Sequence, residues 1–161
     1  MTSPARKPKP PRLLTAQTLP YFRERLLAIQ STDQPRWGKL VPAGLMAHLS
    51  VAVEGSHRDL GAPDPTNWFQ RNVLRWLVFE AAPRWPRGKI KVPDAITPPP
   101  KGSLDEERAA LLRHLEVFTS ELAKAPDRPG GVHPFFGRQS LRGWARFHAR
   151  HFEHHFQQYG V

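Results

Sequence analysis

The chain is expected to fold as an all-α domain, and three features of its sequence carry that expectation. Apolar residues recur at three- and four-residue intervals in several separate stretches, the spacing that builds one face of a helix. Helix-start signals, Pro42 and the box Ser103-Leu-Asp-Glu106 among them, stand directly before such stretches. Strand-like alternation is confined to Lys89-Ile-Lys-Val92.

Five helices follow in order. Thr18 is positioned to cap the first, Pro20 is tolerated in its opening turn, and Phe22, Leu26 and Leu27 supply an apolar stripe to about Gln30. The second opens near Pro42 and runs to about His57, before Gly61-Ala-Pro-Asp-Pro65 stops it. Trp68, Phe69, Val73, Leu74, Trp76, Leu77 and Phe79 form a third segment, apolar nearly all round and too short to span a bilayer. From Ala82 to Gly102 proline is frequent, including Pro98-Pro-Pro100, which predicts a long extended crossover. The capping box at Ser103 then starts the longest helix, with Leu111, Leu115, Phe118 and Leu122 on its buried face and His114 packed at the edge. Asp127-Arg-Pro-Gly-Gly131 breaks the chain before a final helix from about Ser140.

With 161 residues, of which 39% are hydrophobic, the chain suits one self-sufficient core. It contains no cysteine, which excludes disulfides and thiolate metal sites. No apolar run approaches the roughly 18 residues of a transmembrane helix, and the N-terminus lacks a signal-peptide core, so a cytoplasmic protein without membrane contact is the default expectation. The net charge of +10 draws on Arg6, Lys7, Lys9 and Arg12, and again on Arg84, Arg87, Lys89 and Lys91. Residues 1–14, rich in proline and basic side chains, read as a disordered arm ahead of a single domain over 15–161. Neither basic cluster is interleaved with aromatics as a base-stacking platform would be, so both read as solvated surface rather than a specific nucleic-acid site.

Half of the eight histidines lie in His148-Ala-Arg-His151-Phe-Glu-His154-His155. At about 100° per residue, positions 151 and 155 differ by about 40°, so both imidazoles can reach one point. A stable divalent site needs a third nitrogen. His48, within Gly44-Leu-Met-Ala-His-Leu-Ser-Val-Ala-Val53, falls in an apolar stripe and points inward. A lone core histidine reads first as a packed, hydrogen-bonded imidazole, and the spacing alone leaves packing and ligation both open. His148 is a rival ligand or a pocket residue, His133 a turn residue or part of a pocket mouth, and Trp144 core or pocket wall.

The stretch His133-Pro-Phe-Phe-Gly-Arg-Gln-Ser-Leu-Arg-Gly-Trp144, continued by His151-Phe-Glu-His154-His155-Phe-Gln-Gln158, resembles an uncharacterised branch of the DinB-like superfamily. So does Arg36-Trp-Gly-Lys-Leu running into Leu45-Met-Ala-His48-Leu. The resemblance covers roughly residues 15 to 161. It implies a four-helix bundle of up-down-down-up connectivity, with the extra helix and the Pro-rich segment lying in a long crossover. It also implies a divalent ion, nickel or zinc, on His48, His151 and His155, with His154 beside the ligands as a supporting or pocket residue.

Some relatives implied by that resemblance are thiol-dependent transferases. The corresponding expectation here is a metal-dependent enzyme acting on a small-molecule substrate, with a low-molecular-weight thiol as cosubstrate, because the chain has no thiol of its own. A homodimer is compatible with it. The alternative is a non-catalytic metal-binding or stress-associated bundle.

Overall fold

The structure is a computed structural model and describes residues 9–58, 63–78, 85 and 97–161. It is mainly helical, with helices α1 (Leu19–Ala28), α2 (Pro42–His57), α3 (Leu104–Lys124) and α4 (Leu141–Tyr159) and a short π-helical stretch, Gln70–Leu74, before α3. A two-stranded hairpin, β1 (Pro129–His133) and β2 (Gly137–Ser140), joins α3 to α4. The purely helical expectation is corrected at this point, and the strand-like Lys89–Val92 lies outside the described residues.

Local chemistry explains where the helices start. Pro42 opens α2, where its missing N–H costs nothing. Ser103 and Glu106 close the expected reciprocal box on α3, with the Ser103 N–H donating to Glu106 Oε2 at 2.7 Å. Helix α4 is capped three times over. Its first amides donate to the carbonyls of Arg128 at 3.0 Å and Pro126 at 2.8 Å, and Gly143 N–H donates to Ser140 Oγ at 3.2 Å. Thr18 departs from expectation. Its hydroxyl donates to the Leu13 carbonyl at 2.7 Å instead of capping an amide of α1, so it ties the incoming chain down.

The core forms where α2 packs along α3, with α1 and α4 closing around them. Phe22, Leu26, Leu49, Leu115, Phe118 and Phe152 are fully buried in it. The chain ahead of α1 is tied to the core at Leu14, which is fully buried and whose N–H donates to the Ala145 carbonyl at 3.1 Å.

The hairpin pairs Val132 with Arg138 and His133 with Gly137, with an irregularity between Pro129 and Val132. It docks on the end of α2 through two glycines. A Cβ on Gly130 or Gly131 would collide with the carbonyl oxygen of Ser56 or Gly55. The same Pro-Gly-Gly run that reads as a chain breaker is thus a close-approach surface, and it carries no side-chain alternation to betray a strand. The aromatic stretch after residue 67 also departs from expectation for an apolar helix, because Trp68, Phe69, Trp76 and Leu77 remain exposed. None of the described helices is long and apolar enough to cross a membrane.

Candidate metal centre

Helix α4 carries His151 and His155 one turn apart, and α2 presents His48 opposite them. All three are buried. His48 Nε2 lies 3.0 Å from His151 Nε2. His155 Nε2 lies 3.1 Å from that same atom. One ring nitrogen from each residue lies within 4.8 Å of the others.

An imidazole nitrogen has one in-plane position, holding either a proton or a lone pair. His151 Nε2 therefore cannot make two linear hydrogen bonds at once, one to His48 and one to His155. The spacing suits a shared cation. Metal–nitrogen bonds of about 2.0–2.1 Å set neighbouring ligand nitrogens about 2.9–3.4 Å apart.

Burial also favours the neutral form of His151 and His155, the form that can ligate a cation. Burial holds His151 well below the usual histidine range, and the neighbouring rings of His155 and His48 push it the same way. Burial and the nearby His48 take His155 down to about 3 against the opposing hydrogen bond from Gln158. Neutral imidazoles offer lone pairs.

A family model described as a protein of unknown function, DUF1569, matches residues 11–160. The chain belongs to the DUF1569 family. The match takes in all four α-helices and the hairpin, so the histidine cluster lies inside the family domain. Comparison with curated proteins and with solved structures gives no match.

Within this DUF1569 domain, sequence reasoning quoted Gln158 but gave it no role. Its Oε1 lies 2.7 Å from His155 Nδ1, and its Nε2 donates to the Trp37 carbonyl at 2.7 Å. The backbone carbonyl orients the amide, the amide fixes the proton on Nδ1, and His155 Nε2 is left with its lone pair towards His151. The available signal was the i, i+3 spacing from a candidate ligand.

The other sequence candidates separate from the triad. His148 is fully buried, stacks on Trp144 at 5.5 Å and meets Phe118 edge-on at 5.1 Å. Neither of its ring nitrogens has a hydrogen-bond partner, and burial takes it down to about 3. His133 ends β1 between Phe136 at 4.5 Å and Phe147 at 4.6 Å, and its Nδ1 accepts the Phe135 N–H at 3.1 Å. It is a packed turn residue. Trp144 is core, its indole N–H bonded to the Gly131 carbonyl at 3.0 Å. His154 is half-buried against Trp37 at 5.7 Å.

The acids of the two helices that carry the triad are engaged elsewhere. Glu54 pairs with Arg58 at 3.0 Å, and Glu153 pairs with Arg25 at 2.8 Å. Two surface cavities, of about 540 and 390 Å³, are lined by residues such as His57, Glu121 and Arg128 in the first and Arg75, Trp76 and Arg146 in the second. Neither lining includes a triad residue.

Proposed function

We propose that this chain is a metal-dependent enzyme of the DinB-like superfamily, holding nickel or zinc through His48, His151 and His155 and acting on a small molecule with a low-molecular-weight thiol as cosubstrate. On this reading residues 15–161 are one domain, and α1 to α4 form an up-down-down-up bundle whose long crossover precedes α3. A cytoplasmic setting and a homodimer fit the same reading.

One observation carries the metal assignment: His151 Nε2 stands at contact distance from two other ring nitrogens and can hydrogen bond linearly to only one of them. Three nitrogen donors suit nickel and zinc alike. Such an ion, when bound, supplies a Lewis acid that lowers the pKa of a coordinated water or thiol.

The chain's own residues narrow the chemistry. Glu54 and Glu153 are held by arginines, so neither stands at the triad as a general base for hydrolysis. A thiol is acidic enough to ionise at a metal without such a base, which favours thiol transfer over hydrolysis. With no cysteine in the chain, the thiol comes from solution.

A second reading, a non-catalytic metal-binding or stress-associated protein, draws on one observation. Neither of the two cavities described above opens onto the triad.

The test is elemental analysis of protein purified without an affinity tag, followed by thiol addition to the nickel- or cobalt-loaded form. Stoichiometric metal and a thiolate-to-metal charge-transfer band support the enzyme. Metal without a thiol band supports the second reading, and no metal after remetallation overturns both.

A further inference from the structure

A buried indole N–H next to the histidines has nothing to bond. Trp85 lies over His151 with ring centroids 5.9 Å apart and planes inclined by 28°. It also meets Phe147 at 5.6 Å and His154 at 5.9 Å. Its Nε1 is shielded from solvent and has no hydrogen-bond partner. The same is true of His151 Nδ1, on the ring it covers.

Buried polar atoms in folded proteins are nearly always paired, so two orphans in one stacked pair need a physical account. Indole nitrogen is a donor only. On the metal reading His151 turns its Nε2 lone pair to the ion shared with His48 and His155, so its proton sits on Nδ1, which is a donor there as well. Both members of the stack therefore lack an acceptor.

The electrostatics point the same way. Among the described residues, the group able to hold a cation consists of three histidines and no carboxylate. A divalent ion held by three neutral rings keeps its full charge of about +2, in surroundings where apolar walls strengthen Coulomb attraction. An anion is the complementary ligand.

We propose that Trp85 selects what enters beside the triad: its indole N–H receives one oxygen of a small carboxylate whose other oxygen faces the coordination position that three histidines leave open. This rests on the metal reading above and deepens it by naming a ligand class, a carboxylate-bearing small molecule in preference to a neutral nitrogen donor. Trp85 acts as a specificity residue, with the ring of Phe147 as the apolar neighbour that keeps water from competing for the N–H.

The experiment loads the wild type, Trp85→Phe and Trp85→Ala with Co²⁺ and titrates each with acetate and, separately, with imidazole, following visible absorption. All three proteins should show the cobalt bands. Acetate affinity should fall roughly 10-fold in Trp85→Phe, which keeps the ring but loses a donor to a charged acceptor, and at least as far in Trp85→Ala. Imidazole affinity should stay within about 2-fold in Trp85→Phe, because a neutral nitrogen ligand leaves no second acceptor for the indole. Equal acetate affinity in wild type and Trp85→Phe overturns the proposal. So does an equal loss for acetate and imidazole, which marks a packing effect. Absence of cobalt bands in the wild type, or their persistence in His48→Ala, overturns the metal reading and this inference with it. That outcome is visible before any titrant is added.

Discussion

His155 Nδ1 lies 2.7 Å from Gln158 Oε1, and the far end of the same amide is anchored by the Trp37 carbonyl, also at 2.7 Å. This chain of two bonds sets which nitrogen of His155 keeps its lone pair. Gln158→Leu should preserve helix α4 yet weaken metal binding about 10- to 100-fold. Competition with a chelator of known affinity measures it. Unchanged affinity would show that the amide does not orient the ligand.

His48→Ala, His151→Ala and His155→Ala should each strip most of the metal, because two remaining imidazoles hold a divalent ion weakly. His57→Ala should keep it. His57 sits on α2 as well, but its Nδ1 is 3.0 Å from the Val53 carbonyl and turned to its own backbone. Metal-to-protein ratios decide this, and a uniform loss across all four variants would undo the assignment of faces.

Acid should destabilise the metal-free protein in a way that reports buried neutral histidines. Burial takes both His133 and His148 down to about 3 in the folded state. Their unfolded value is about 6.5. Above that value neither state is protonated and stability is flat. As pH falls below it, the unfolded chain takes up protons that the folded chain refuses, at up to about 1.4 kcal/mol per pH unit for each group. Denaturant titrations between pH 7 and pH 5 should show that slope. His148→Leu should make it shallower by about one proton and be near neutral or stabilising at pH 7, since both ring nitrogens lack partners. A large loss of stability at pH 7 would mean that His148 serves an unseen contact.

The hairpin's dock on α2 tolerates no side chain. Gly131→Ala, which drives a Cβ into the Gly55 carbonyl oxygen, should cost about 1–3 kcal/mol. Gly55→Ala is the control. An added Cβ there meets nothing within 4 Å, so the variant should gain about 0.5–1 kcal/mol from helix propensity. Thermal melts of the two variants should move in opposite directions. A matching fall in both would place the sensitivity in α2 itself rather than at the contact.

Much of the helical framework was legible because helix signals are local. The capping box at Ser103, the proline start of α2 and the spacing of Leu111, Leu115, Phe118 and Leu122 each act within a few residues and survive in the structure as read. The hairpin was not legible. Its first strand is built partly from glycines whose role is to approach α2, and nothing in their immediate neighbourhood states what they approach. Thr18 failed for a related reason, its hydroxyl being claimed by Leu13 across the turn rather than by the helix it precedes.

The candidate site divides along the same line. Helical pitch alone determined that His151 and His155 share a face, but it put His148 on that face too, and only packing against Trp144 and Phe118 took His148 out of the cluster. Only tertiary packing decided that His48, 103 residues earlier in the chain than His151, would bring Nε2 to 3.0 Å from it. Packing likewise set Gln158 against Trp37 and laid Trp85 over His151. Periodicity specifies which way a side chain points from its own helix axis. Where two such directions meet depends on how the helices cross and slide, and that is set by the fit of the whole core.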